Sequence, residues 1–326
     1  MEVMNSGETK YGVIKGISGI ELYNSGNIKE CSLTEKNELI TPYGKLIPQY
    51  QNEGVRNKYI NSLSFYESGS LKKIALQEQS LIVTDAGSMK AELITFYENG
   101  KIKRLFPLNG KITGYWTEDN EYELAEPMEF SYSFGKLNKR VIGIQFYETG
   151  EMKSITFWPK ELVKLITPAG TLTGHFGIAL YPDGSLKSCE PAYPVLVDTA
   201  IGKLTAFDVG AIGINGDSNS LNFYENGSIK SIISSTDRIK VSGANKEILE
   251  FEPGLRPSLL DEEGLDILPL KVEFYDGKVR INTNDRINEN DRNVFGMQEC
   301  SFSVTNNPLS IFNKCGSCSE CRGCGF

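Results

Sequence analysis

Four cysteines close the chain in the run CGSCSECRGCGF. Cys315, Cys318, Cys321 and Cys324 are each separated from the next by two residues. Four thiolates in so short a stretch can enclose one Zn²⁺ tetrahedrally, or hold an iron–sulfur cluster. Gly316, Gly323 and Gly325 free the backbone to wrap, and Lys314 and Arg322 favour the thiolate form and offset its charge. The spacing departs from known ligand patterns in two ways. Zinc ribbons separate their paired cysteines by a longer loop, and bacterial ferredoxin runs end in C-x3-C-P. Two readings therefore stand: a metal site at Cys315, Cys318, Cys321 and Cys324, or a redox-sensitive, modifiable tail. Cys300 is a candidate extra ligand, whereas Cys31 and Cys189 sit in apolar strand patterns and read as core residues.

Other candidates for chemistry are weaker. His175 is the one histidine, so a Ser-His-Asp triad would need it, yet no G-x-S-x-G elbow is present and a structural role is the better expectation. The glycines of GAIGINGD (residues 210–217) lack the Lys-Ser/Thr of a phosphate loop and read as an irregular turn. Asp217 and Asn219, or Asp261, Glu262 and Glu263, lack EF-hand spacing and read as solvated loop residues. A recurring tyrosine (Tyr23, Tyr66, Tyr97, Tyr147, Tyr181, Tyr224, Tyr275) offers a stacking ladder for sugars or peptides. Packing between strands beside a turn is the simpler reading. No acid–base or nucleophile set stands out, so an enzyme is not the expected class.

The elements that must position these residues come from repetition. Gly16–Ile74 recurs without a gap as Gly174–Ile232: Gly19, Tyr23, Gly26, Lys29 and Cys31 land on Gly177, Tyr181, Gly184, Lys187 and Cys189. Within this runs a shorter unit, seen as ITFYENGKIK, IQFYETGEMK and LNFYENGSIK and, one residue shorter, as VEFYDGKVR. Alternating apolar residues before the turn mark a strand, and the glycine suits a left-handed turn position, so each unit is expected to be a β-hairpin with a G1 bulge. The apolar positions after the turn break alternation, which predicts either that bulge or a strand buried on both faces. A second unit, Thr-x-x-Gly-x-aliphatic, follows at Thr41, Thr84, Thr167 and Thr199 and reads as a β-turn. Two equivalent places carry inserts, Gln49–Ile60 and Phe207–Ser218, the expected contact loops of such a scaffold.

The expected fold is all-β: antiparallel β-hairpin repeats in two duplicated halves, residues 10–160 and 168–281, followed by a linker and Cys-rich tail at 282–326. An extended sheet or solenoid is expected, with a two-sheet sandwich or barrel as the alternative. A net charge of −8 argues against nucleic acid as partner. No apolar run approaches the length that spans a bilayer, and the opening MEVMNSGETKYG lacks a leader's basic and apolar regions, so a cytoplasmic location is expected.

FYENGKIK and FYENGSIK resemble the repeat core of the MORN-variant family, whose Y-x-N-G-K-hydrophobic-K segments form successive β-hairpins. The resemblance spans seven units between Ile20 and Arg280, about ten residues in each, without that family's even spacing. It implies a non-catalytic scaffold that binds protein partners, in some bacterial members as an antitoxin-like component, and it brings no catalytic residue. The alternative is a metal- or redox-linked accessory protein acting through the tail, with Zn²⁺ or an iron–sulfur cluster as cofactor.

Overall fold

The computed structural model describes residues 6–52, 54–56, 60–110, 115–211, 216, 218–243, 247–258, 264–283 and 293–306. The four tail cysteines lie outside them. The described chain is all-β and antiparallel, with one short helix, Glu118–Leu124. It divides into two compact units. The first comprises Met1–Val163, His175–Leu186 and Gly213–Asp217; the second comprises Lys164–Gly174, Lys187–Ile212 and Ser218–Phe326.

In the first unit, hydrogen-bonded neighbours follow the order Ile17–Leu22, Ile28–Leu33, Leu63–Phe65, Leu71–Thr84, Gly87–Phe96, Ile102–Phe106, Val141–Phe146 and Met152–Phe157. In the second, the order is Leu186–Pro191, Leu221–Phe223, Ile229–Ser234, Leu270–Tyr275, Lys278–Thr283 and Val294–Gly296. Neither ladder returns to pair its first described strand with its last, so each is an open, extended sheet rather than a barrel.

The repeated sequence pairs in one register. Cys31 faces Leu63 and Leu63 faces Ile74; Cys189 faces Leu221 and Leu221 faces Ile232. Both cysteines are fully buried. Burial pushes the Cys31 thiol up to about 12 and raises that of Cys189 as well, so both are held as neutral thiols.

Six of the seven tyrosine hairpins close in the same way. The Tyr97 amide donates to Lys101 O and the Gly100 amide to Tyr97 O, with Gly100 at φ +84°. The register then shifts between Ile102 and Arg104, which is the expected bulge. Strands buried on both faces occur too: Ile155, Thr156 and Phe157 are all buried in succession. The shortened last unit turns differently. Asp276 and Gly277 both have positive φ, 49° and 72°, and the register runs through without a shift, as a two-residue type I′ turn requires.

The Thr-x-x-Gly units form a second series of hairpins, here called arms, which alternate with the tyrosine hairpins along the chain. In each, the threonine hydroxyl donates to the glycine carbonyl and accepts the amide of the residue between them that precedes the glycine. Thr41 does so with Gly44 and Tyr43, and Thr84 with Gly87 and Ala86. Thr167 and Thr199 repeat the pattern. The structure adds an arm at Thr9–Gly12, with the same two bonds. It also adds one at Tyr132–Gly135, where the strands Met128–Tyr132 and Gly135–Lys139 pair without the threonine. In chain order the arms are therefore centred on Thr9, Thr41, Thr84, Tyr132, Thr167 and Thr199.

The helix is seven residues long, too short to leave a periodic signal. It is held by a reciprocal capping box between Thr117 and Asn120.

Candidate functional site

The recurring tyrosines are occupied in holding the sheet. Tyr23 Oη donates to Phe65 O at 3.0 Å, Tyr66 to Phe96 O at 2.8 Å and Tyr97 to Phe146 O at 2.9 Å. Tyr147 donates to Leu180 O at 2.8 Å and Tyr224 to Phe274 O at 2.6 Å. Each hydroxyl thus reaches forward to the next tyrosine hairpin and satisfies the carbonyl of the residue just before that hairpin's tyrosine. The trailing Lys or Arg covers the ring: Lys72 lies over Tyr66, Lys103 over Tyr97, Lys230 over Tyr224 and Arg280 over Tyr275, at 5.1 to 5.6 Å. Packing, the simpler expectation, is what these rings do.

The first insert is tied into its unit. Gln77 Oε1 accepts the amides of Tyr50 and Gln51, and Ser62 Oγ donates to Gln49 O. Arg56 forks onto two buried carboxylates, Glu92 on Gly87–Phe96 and Glu121 in the helix, with four bonds of 2.6 to 2.7 Å. Glu121 also accepts from Trp116 Nε1. In the second insert the attachment recurs: the Val209 amide donates to Ser235 Oγ, the Phe207 amide donates to Ile233 O, and the Phe207 carbonyl accepts the Ser235 amide.

A buried carboxylate appears in the second unit at Glu190, which stands where the first copy has Ser32. Glu190 is 2% exposed and accepts from both the amide and the hydroxyl of Ser220, each at 2.7 Å. Burial pushes its carboxyl up to about 7; the Ser220 bonds oppose this, and the charge of Asp208 adds to it. Asp208 is itself raised by burial, against the pull of the Gly210 amide. His175 is held below the usual imidazole range by burial. Its Nε2 has no partner among the described residues and its ring stacks on Phe176 at 3.9 Å.

Among the described residues two grooves lie between arms. The first, of about 720 Å³, is in the first unit. It runs between the Thr84 arm and the Tyr132 arm, over the turns at Thr149–Met152 and Leu180–Gly184. The second, of about 660 Å³, is in the second unit, between the Thr167 and Thr199 arms and over the turns at Tyr224–Ile229 and Phe274–Gly277. Both have one plan: an arm, the next arm, and the two tyrosine hairpins that follow the second arm.

The metal reading of Cys315, Cys318, Cys321 and Cys324 falls outside the described residues. Cys300 is described and half-buried. Among the described residues no group of three His, Cys, Asp or Glu side chains is arranged to hold a metal ion. No described helix is long and apolar enough to cross a membrane. Comparison with protein-family models, with characterised proteins and with solved structures gave no match.

Sequence reasoning missed Glu190, Arg56, Glu92 and Glu121. For Glu190 a signal existed: within the repeat, a serine in one copy is exchanged for an acid in the other at a strand position.

Proposed function

We propose that this chain is a non-catalytic binding scaffold for a protein partner, with the two arm-lined grooves as its contact surfaces. The observation that carries the reading is that one groove plan occurs twice, once in each unit. The repeated polar side chains support it, because tyrosine and threonine hydroxyls are committed to backbone bonds and serve to hold the arms and turns in place. The grooves, rather than the inserts, are chosen because the first insert's described residues are bonded within their own unit. An antitoxin-like role, in which the partner is a toxin polypeptide, is the form that the MORN-variant resemblance suggests.

Selection of peptide ligands on the immobilised full-length chain tests this. Leu81 lines the first groove and is 63% exposed; Ile40, 60% exposed, lies outside both. Leu81→Arg should abolish capture of ligands selected for the first groove, and Ile40→Arg should leave it intact. Ligands indifferent to Leu81→Arg, or equally sensitive to both changes, would overturn the assignment of the first groove.

A second reading rests on the C-x2-C-x2-C-x2-C spacing alone: Cys315, Cys318, Cys321 and Cys324 bind one Zn²⁺ or one cluster. Anaerobic preparations should then carry close to one equivalent of zinc or of cluster per chain, lost when Cys318 and Cys321 become Ser.

A further inference from the structure

The grooves occur where an arm lacks a tyrosine. The Thr9 and Thr41 arms carry Tyr11 and Tyr43 at the residue before the glycine, and each reaches the hairpin after next. Tyr11 stacks on Phe65 with centroids 6.5 Å apart, and its hydroxyl accepts the Leu71 amide at 2.8 Å. Tyr43 lies 5.9 Å from Phe96, and its hydroxyl accepts the Ile102 amide at 3.2 Å. The amide satisfied is in each case the second after the turn glycine, Gly69 or Gly100, where the bulge disturbs the ladder. In the Thr84 and Thr167 arms the same position holds Ala86 and Ala169. A methyl group can neither fill the space of a phenol ring nor accept a hydrogen bond. Ala86 and Ala169 line the two grooves, and so do Met152 and Ile229, the counterparts of Leu71 and Ile102.

The arms themselves are correctly placed for the comparison. Asp85 approaches the turn at Gly150, and Pro168 the turn at Gly227, where side chains on those glycines would meet them at 3.1 and 3.4 Å. The Thr84 and Thr167 arms thus overlie their hairpins as the Thr9 and Thr41 arms overlie theirs. The charge of the lining is one-sided. The first groove has Asp85, Glu126, Glu129 and Glu151 against Lys90. Glu126 is paired with Lys90 and Asp85 with Lys101, which leaves Glu129 and Glu151 for a partner's cations. In the second groove Asp198 is paired with Lys203, which leaves Asp276.

We propose that each groove receives a tyrosine side chain from a partner polypeptide, carried on a lysine- or arginine-flanked segment. The ring takes the place that Tyr11 and Tyr43 occupy in their own arms, its hydroxyl faces the Met152 or Ile229 amide, and the flanking cations face the carboxylates. This deepens the binding-scaffold reading and rests on it, naming the chemistry of the partner.

The test uses the full-length chain and three acetylated, amidated tripeptides, Lys-Tyr-Lys, Lys-Phe-Lys and Glu-Tyr-Glu, titrated by calorimetry or by NMR. Lys-Tyr-Lys should bind with two equivalents per chain, at least tenfold more tightly than either of the others. Ala86→Tyr should remove one equivalent, Ala169→Tyr the other, and the double variant both, because each supplies the missing ring from within. Leu81→Arg, at an exposed strand position that makes no demand on the turn, should weaken the first site at least tenfold if Ala86→Tyr folds poorly. Binding that persists in the folded double variant, equal affinity for Glu-Tyr-Glu or Lys-Phe-Lys, or no Lys-Tyr-Lys binding at all would overturn the proposal. Failure here alongside selected peptides of other composition that still depend on Leu81 would leave the scaffold reading standing.

Discussion

Glu190 is a carboxylate placed where its charge is poorly tolerated, and its environment in the second unit sets a pH dependence. Its folded value of about 7 lies above the 4.5 of a free glutamate. The folded chain therefore holds this proton more tightly than the unfolded chain. Below pH 4.5 both states are protonated and the residue costs nothing; as pH rises through 7 the folded state must carry a buried charge, and stability falls. A gap of that size corresponds to about 3 kcal/mol. Urea unfolding of the wild type should thus show lower stability at pH 8 than at pH 5, and Glu190→Gln should remove most of that difference. An unchanged pH dependence in the variant would show that another group is responsible. In the glutamine the side-chain oxygen still accepts the Ser220 amide and the NH2 donates to the Ser220 hydroxyl, which turns to accept, so the variant tests the charge and keeps the shape.

Among elements, the tyrosine hairpin is the unit that the sequence made legible, because its turn depends on one backbone conformation at one glycine. Gly100, at φ +84°, has open space around a Cβ built on it. Replacing it with Val therefore tests the backbone alone. Gly100→Val should cost about 1–3 kcal/mol in denaturant unfolding, as a β-branched residue resists positive φ. A cost near zero would mean that the bulged turn relaxes into another form. The arms were only partly legible. Their Thr-x-x-Gly signature follows from two short-range bonds that any single copy reveals, yet Thr9–Gly12 went unread at the chain's start and Tyr132–Gly135 carries no threonine. What an arm packs against was not legible at all. Tyr11 meets Phe65 and Tyr43 meets Phe96 across more than fifty residues of chain, and neither spacing nor periodicity encodes a contact between an arm and the hairpin after next. The grooves, defined by the alanines that replace those tyrosines, became visible only once that pairing was known.

At the scale of a whole unit, long-range ties decide which surface loops are available for binding. The first insert reads as a contact loop because it and its repeat counterpart stand at equivalent places, agree in length and differ in sequence. Arg56 changes that reading. It joins the insert, the long strand Gly87–Phe96 and the helix, elements far apart in the chain, through side chains of Glu92 and Glu121 that are only 4% and 0% exposed. The two carboxylates hold the guanidinium charged, above its ordinary value despite the opposing effect of burial. Such a triad contributes little net stability relative to an apolar substitute, but removing Arg56 takes away the charge that its two buried carboxylates share. Arg56→Ala should therefore destabilise the first unit by about 3–5 kcal/mol, with loss of hydrogen-exchange protection centred on the insert and Glu118–Leu124. A triple change, Arg56→Met with Glu92→Gln and Glu121→Gln, should recover much of that loss, because no unpaired charge is then buried. If Arg56→Ala is harmless, the insert is free after all, and it regains its claim as a contact surface alongside the grooves.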